Sequence, residues 1–270
     1  MADGVRLYFE TFGSGPQVVL PNGFHLIDDF AQLADRHTLI FYDVRNRGLS
    51  DSVERGSILD DAEDLDAIRR HFGIERLDLI AHSYIGILAG LYAMQHPNRV
   101  NRIVKIGPMQ PDSTKQYPPH LTGADATLAE VFGKLGELQK TLDPAMDPQA
   151  ACEKFWSVLR PLYVFNPADA EKIQWGRCDL PNERNFMGYF QGQILPSIYQ
   201  IKFSAETLSG VKTPVLIIHG NKDRSAPYGG ALDWAAIYPN AQLVTVENAA
   251  HAPWIEDPEK VLGAIESFLN

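Results

Sequence analysis

The chain has 270 residues, of which 45% are hydrophobic, and a formal net charge of -10 at pH 7. That length supports one large core with a modest insertion. Asp and Glu are scattered along the whole chain without a basic patch or tail to neutralise a phosphate backbone, which excludes nucleic acid as a partner. The segment Met1-Ala-Asp-Gly-Val-Arg6 has no charged flank followed by an apolar run, and the apolar stretches elsewhere are too short to cross a bilayer. The expectation is a soluble, cytoplasmic protein with no membrane insertion. Cys152 and Cys178 have no His or Cys neighbours at zinc-ligand spacing and read as reduced thiols.

In chain order, Val5 to Phe12 reads as a hairpin edge with Gly13-Ser-Gly-Pro16 as its turn, and Val18 to Leu20 as a short strand ended by Pro21-Asn-Gly. Thr38 to Tyr42 is the next strand. Between Ser57 and His71, Ile58, Leu59, Ala62, Leu65 and Ile68 recur at the spacing of one helical face. Leu77 to Ala81 then predicts a strand, Ile85 to Gln95 a helix and Val100 to Ile106 a strand, a succession that requires parallel pairing with helices covering the sheet. From Gly107 to about Phe203 the alternation is lost, and helix-like pieces are cut short by prolines from Pro118 to Pro196. Such short helices must dock against something, so residues 110–207 read as a cap on a core formed by 1–109 and 208–270. Strand patterns return at Pro214 to Ile218 and Ala241 to Val246, with helices at Ala231 to Ile237 and Pro258 to Leu269. The fold class is α/β.

Chemistry-bearing residues fall at the ends of strand-like runs. Ser83 follows Leu79-Ile-Ala-His and precedes a helix starting near Tyr84, a junction whose sharp turn lifts the hydroxyl clear of the backbone. Asp223 follows Ile217-Ile-His-Gly-Asn-Lys, and His251 follows the last strand through Asn248-Ala-Ala. An open parallel sheet presents functional groups at the carboxyl ends of its strands, so Ser83, Asp223 and His251 belong at one edge. Their chemistry fits together: a hydroxyl is a poor nucleophile, an imidazole can take its proton, and a buried carboxylate fixes the tautomer and stabilises the imidazolium. Singly, each has a plainer reading: Ser83 as a helix cap, Asp223 as a turn residue, His251 as a structural imidazole. The order serine, acid, histidine at successive strand ends sets those readings aside. His82 and His219 read as core or supporting groups, while His25, after Asn22-Gly-Phe24, either touches a substrate or lines a rim.

These segments, with Ala81-His-Ser83-Tyr-Ile-Gly86, Asp43-Val-Arg-Asn-Arg-Gly48-Leu-Ser50, His219-Gly-Asn-Lys-Asp223 and Ala250-His251 followed by Glu256-Asp-Pro258, resemble the α/β-hydrolase family over nearly the whole chain. The nearest subgroup is the capped esterases and proline-iminopeptidase-like hydrolases. The resemblance implies an α/β-hydrolase fold, with a mostly parallel central sheet, helices on both faces and a helical cap insertion. It assigns Ser83, Asp223 and His251 as the catalytic triad, and Asp43, Arg45, Gly48 and Ser50 as a structural loop. The chain departs from the family at Ile85, where a glycine normally relieves crowding at the elbow, and at Asn22-Gly23-Phe24, where His-Gly is usual. The oxyanion donors would be the backbone amides of Phe24 and Tyr84, which a changed side chain need not abolish. A serine at the elbow separates the chain from epoxide and haloalkane hydrolases, which resemble this fold but carry an aspartate there. No metal-ligand cluster or Gly-rich dinucleotide pattern is present, so no cofactor or metal is expected.

Aromatic residues concentrate in the cap, and some of them pack the cap-sheet interface. Candidates for an apolar substrate pocket are His25, Trp156, Tyr163, Phe186, Phe190 and Trp254, with Phe24 and Tyr84 beside the elbow. The leading expectation is hydrolysis of small, largely hydrophobic carboxylic esters through an acyl-enzyme. Alternatives are a proline-iminopeptidase-like enzyme holding an amino terminus with Glu153, Asp169, Glu171 or Glu183, a carbon-carbon bond hydrolase, a cofactor-free dioxygenase using His251 as base, and a non-catalytic ligand-binding protein on the same fold.

Overall fold

Strand sequences apolar on both faces need cover on both faces, and the sheet supplies it. In the computed structural model, which describes residues 3–141 and 147–270 without the side chains of Phe24 and Gln139, the strands are β1 (Phe9–Phe12), β2 (Gln17–Pro21), β3 (Thr38–Tyr42), β4 (Leu77–His82), β5 (Val100–Ile106), β6 (Val215–Gly220) and β7 (Ala241–Val246). Their order is β1-β3-β2-β4-β5-β6-β7, with only β1 antiparallel. Successive residues point to opposite faces. Leu79, Ala81, Ile103 and Ile217 therefore enter one core, and Ile80, Val104, Ile106 and Ile218 the other.

The helices are α1 (Ile27–Phe30), α2 (Ile58–His71), α3 (Ile85–Gln95), α4 (Ala126–Thr141), α5 (Pro148–Leu159), α6 (Pro181–Tyr189), α7 (Leu195–Ile198), α8 (Tyr228–Ile237), α9 (Pro253–Glu256) and α10 (Pro258–Leu269). Residues of α2, α3 and α8 pack into the first core, and residues of α1 and α10 into the second. The start of α2 is fixed by Ser57, whose Oγ accepts the Asp60 amide. Helices α4 to α7 form the cap. A π-helical turn, Phe190–Ile194, joins α6 to α7 just before Pro196, which has no amide to donate into the helical ladder. No described helix is long and apolar enough to cross a membrane.

Two expectations are corrected. The hairpin of β1 with β2 does not form: β1 pairs with β3, and β2 lies between β3 and β4. Burial explains this, because β2 is almost wholly buried and needs a partner on each side, whereas β1 alternates between exposed and half-buried and suits the edge. Thr38 at the head of β3 fixes the turn, its amide donating to Pro16 O at 2.9 Å and its hydroxyl to Gly15 O at 3.0 Å.

The second correction concerns the cysteines. Cys152 on α5 and Cys178 before α6 form a disulfide across 26 residues, with Cα atoms 5.7 Å apart. A single pair at that separation has no motif to announce it; only the folding of one cap helix against the next brings the thiols together. The cap's short helices are individually marginal, and closing a loop of this length stabilises by about 3 kcal/mol in chain-entropy accounting. The bridge also removes the sequence argument for a reducing compartment. Cys152→Ser is expected to lower the melting temperature by an amount that reductant reproduces in the wild type and does not add to in the variant.

Candidate active site

Ser83 stands between β4 and α3 in the left-handed region, at φ 59°. A non-glycine residue there costs of order 1 kcal/mol, so its surroundings must hold it. Its amide donates to Ile106 O at 3.0 Å, and its carbonyl accepts from Gly86 N at 2.9 Å and Met109 N at 3.2 Å. The elbow is thus pinned by its own helix and by the chain leaving β5. Ile85 does not distort it: Tyr84 has ordinary helical angles, and Ile85 is 1% exposed within the core. The crowded position is the next one, where a Cβ on Gly86 would lie 2.9 Å from Pro108 Cβ. Ile85→Gly is accordingly expected to lower the melting temperature through lost packing while leaving acetate-ester turnover close to wild type. A clear gain in turnover would mean that Ile85 does crowd the elbow.

The loops after β6 and β7 bring Asp223 and His251 to this serine. His251 Nε2 lies 2.9 Å from Ser83 Oγ, and His251 Nδ1 lies 2.8 Å from Asp223 Oδ2. Asp223 Oδ1 accepts the amides of Ser225 and Ala226, each at 2.8 Å. Burial alone would raise the Asp223 pKa, but His251 and His219 outweigh it and hold the carboxyl below the usual carboxylate range. Asp223 therefore remains an acceptor, which puts the His251 proton on Nδ1 and leaves Nε2 free to receive the serine proton. Gly107, just past β5 at φ 49°, makes room for this pair, since a Cβ there would sit 3.1 Å from His251 O and 3.4 Å from Asp223 Oδ2.

His82, read from sequence as a supporting group, is tied to the same centre. Its Nε2 is 3.0 Å from His251 O, and the two imidazole centroids are 4.6 Å apart. Burial and the neighbouring His251 hold its pKa well below the usual range. A carbonyl only accepts, so neutral His82 carries its proton on Nε2 and anchors the His251 backbone.

Above these residues lies a cavity of about 470 Å³ bounded by the sheet edge and the cap. Of the pocket candidates, His25, Trp156, Tyr163, Phe186 and Phe190 line it, as do Tyr84 and Ile85. Trp254 does not line it; it packs behind His82, with ring centroids 5.0 Å apart, and behind Trp175 at 6.0 Å. The side chain of Phe24 lies outside the described residues, but its backbone belongs to a 3-10 turn, Gly23–His25, that follows β2. Because β2 lies between β3 and β4, the chain reverses direction across the sheet there, and an open sheet forms its ligand crevice at such a reversal. Trp175, Met109, Met187 and Leu195 also line the cavity. Their sequence signal was too weak to find them, because lone apolar residues among short helices have no period.

The chain matches the α/β-hydrolase fold model over residues 20–258. It belongs to the α/β-hydrolase fold family. At 25% identity it is similar to the pimeloyl-[acyl-carrier protein] methyl ester esterase of Chromobacterium violaceum, the match covering 98% of this chain and 99% of the relative. Among solved structures it is similar to an esterase from Exiguobacterium antarcticum, with TM-score 0.75, 19% identity, and coverage of 98% and 96% of the respective chains. A meta-cleavage product hydrolase from Pseudomonas fluorescens IP01 superposes with TM-score 0.74 at 19% identity, covering 99% of this chain and 95% of that one. This α/β-hydrolase carries machinery of the serine-hydrolase type.

The cap of the α/β-hydrolase is fastened to the core around the site. Arg47, in the loop after β3, donates from Nε to Glu183 Oε1 at 2.9 Å and from Nη2 to Glu183 Oε2 at 3.0 Å; both residues are buried. Arg47 also hydrogen-bonds His25 Nε2, and its guanidinium lies 3.5 Å from the centroid of the Phe186 ring. Arg47, the only Arg or Lys among the described cavity-lining residues, is thus neutralised by a carboxylate behind it. Of the acidic cap residues considered for holding an amine, Glu183 is engaged in this pair, Asp169 in an ion pair with Lys172, and Glu153 and Glu171 are exposed. None of them lines the cavity.

Glu256 makes a second fastening, accepting the cap amide of Phe165 at 2.6 Å and the Ala250 amide, next to His251, at 3.3 Å. Burial raises its pKa to about 7 against the lowering effect of those amides. A carboxyl whose folded pKa is raised stabilises the fold fully below its unfolded value and loses that contribution as pH climbs through about 7. Glu256→Gln should therefore flatten the fall in melting temperature between about pH 4.5 and 7 relative to wild type, and identical slopes would reject the assignment.

Proposed function

We propose that this protein hydrolyses carboxylic esters of small, neutral and largely hydrophobic substrates through an acyl-enzyme on Ser83. The observation that carries the reading is the hydrogen-bonded series Ser83–His251–Asp223 opening into a largely apolar cavity in which Arg47, the only Arg or Lys among the described lining residues, is already paired. Ser83 attacks the ester carbonyl while His251 takes its proton, and the amides of Phe24 and Tyr84 receive the developing oxyanion. Asp223 stabilises the imidazolium. His251 then protonates the departing alcohol, and water releases the acid by the same steps in reverse.

The cavity argues against the alternatives. An aminopeptidase needs a carboxylate facing the substrate's ammonium group, and no Asp or Glu is among the described cavity-lining residues. A carbon-carbon hydrolase acting on a dienoic acid needs an uncompensated cation for the carboxylate, whereas Arg47 is committed to Glu183. A passive binder has no use for a strained serine in line with an oriented imidazole.

The test is labelling with a fluorophosphonate, followed by turnover of neutral esters of graded size. Ser83 should be labelled and the small esters hydrolysed. An unlabelled serine in a folded protein would reject the reading.

A further inference from the structure

Resting on that reading, we infer that the two aromatic groups of the cavity divide the ester between them: a rigid slot beside His251 for a planar aromatic alcohol part, and an adaptable lobe beside Tyr84 for an aliphatic acyl chain. The aromatic contacts fall into separate sets. One set surrounds His251, with Tyr163 at 5.4 Å and Trp175 at 6.5 Å between ring centroids, and Trp156 next to Tyr163 at 6.4 Å. The other adjoins the nucleophile's neighbour, with Tyr84 at 5.2 Å from Phe190 and Phe190 at 5.6 Å from Phe186. Arg47 lies between them, bonded to His25 on one side and stacked on Phe186 on the other.

The order of proton transfers decides which set holds which part. In acylation, the Ser83 Oγ–carbon bond forms and the carbon–oxygen bond to the alcohol breaks. The serine proton passes through His251 Nε2 to the departing oxygen, so ester and serine become acyl-serine and free alcohol. That oxygen must therefore lie on the His251 side, against Tyr163 and Trp175. The acyl carbon stays on Ser83 and its chain extends away from the imidazole, toward Tyr84 and Phe190. Water then takes the vacated place, gives a proton to His251, and releases the carboxylic acid with Ser83 restored.

Stiffness differs between the two sides. The Cys152–Cys178 disulfide stands in sequence just before Trp156 and just after Trp175, so one covalent bond fixes the segments bearing both indoles. Fixed rings make a slot for a flat group. The opposite lobe is built on the π-helical turn, with Met187 and Leu195 beside Phe190, and flexible thioether and aliphatic side chains refit to chains of different length.

Benzyl and cyclohexylmethyl esters of one acid separate shape from leaving-group acidity, since the alcohols match in size and differ in planarity. The wild type should favour the benzyl ester in kcat/KM by about tenfold, while straight acyl chains from propionate to hexanoate on a common alcohol should differ by less than about threefold. Trp175→Phe and Trp156→Leu should erode the benzyl preference. These variants should leave the kcat/KM ratios among the straight acyl chains within about twofold of wild type, because those chains lie on the Tyr84 side. Phe190→Ala should change deacylation and acyl preference and keep the benzyl preference. Equal rates for the two alcohols, or acyl-chain ratios that shift with Trp175→Phe, would overturn the division. Loss of fluorophosphonate labelling with no turnover of any ester is the distinct result that rejects the esterase reading itself.

Discussion

Ser83→Ala is expected to lower ester turnover by about 10⁶ while leaving the fold intact. The substitution removes only Oγ, so the bonds that hold the elbow, from the Ser83 amide to Ile106 and from Gly86 and Met109 to the Ser83 carbonyl, are all retained. Left-handed backbone is as available to alanine as to serine at a cost of order 1 kcal/mol, which the core tolerates. His251→Ala should reach nearly the same rate, and the double variant should be no slower than either single one, because a nucleophile and its base act as a unit. The measurement is kcat and kcat/KM on a short aryl ester with melting temperatures on the same samples. Substantial turnover by folded Ser83→Ala protein would mean that another group, or water activated by His251, attacks the carbonyl.

Much of this was legible because parallel βα units write themselves locally. The runs Thr38 to Tyr42, Val100 to Ile106 and Ala241 to Val246 coincide with strands, and Ile85 to Gln95 and Pro258 to Leu269 with helices. The strands Thr38–Tyr42 and Val100–Ile106 and the helix Ile85–Gln95 are buried nearly all round and read as short apolar runs, while Pro258–Leu269 buries one face through Val261, Leu262, Ile265 and Leu269 at helical spacing. Ser83, Asp223 and His251 were legible for the same reason, each being fixed by the end of a strand. Facts that depend on pairing between distant segments were not legible. Nothing local says that β1 passes over β2 to reach β3, or that Cys152 meets Cys178.

The cap shows the same limit at finer scale. Trp156 and Phe190 were legible as pocket candidates because large aromatic residues in short helices must pack somewhere, yet the same argument brought in Trp254, which stands one layer back. What separates Trp175 from Trp254 is a few ångströms of tertiary placement. Arg47 reads in sequence as one member of a polar loop, and its partner Glu183 as one of several acidic cap residues that could hold an amino terminus. The pair exists because the cap closes over both and removes their water, which each can tolerate only with the other present. The resemblance places the crowding of the elbow at Ile85 rather than Gly86 for a related reason: which position is crowded depends on Pro108, which the sequence does not place beside Gly86.

Asp223→Asn is expected to cost about 10⁴ in kcat, by a route that the hydrogen bonds around the residue define. Two backbone amides, from Ser225 and Ala226, converge on Asp223 Oδ1. An asparagine must turn its carbonyl oxygen toward those donors, since placing its NH₂ there would set donor against donor. The NH₂ group then faces His251 Nδ1, which can pair with it only as an acceptor. The His251 proton moves to Nε2, and the ring loses the lone pair that takes the proton from Ser83. Geometry and packing stay nearly unchanged, so the loss should appear in kcat and in the rate of fluorophosphonate labelling, with a small change in melting temperature. Raising the pH should not restore activity, because the tautomer is set by an uncharged amide. Asp223→Ala provides the contrast: with no side chain to impose the wrong tautomer, His251 can carry its proton on Nδ1 in a fraction of molecules, and turnover should equal or exceed that of the asparagine variant. A rate for Asp223→Asn within tenfold of wild type would show that the acid serving His251 is a different residue.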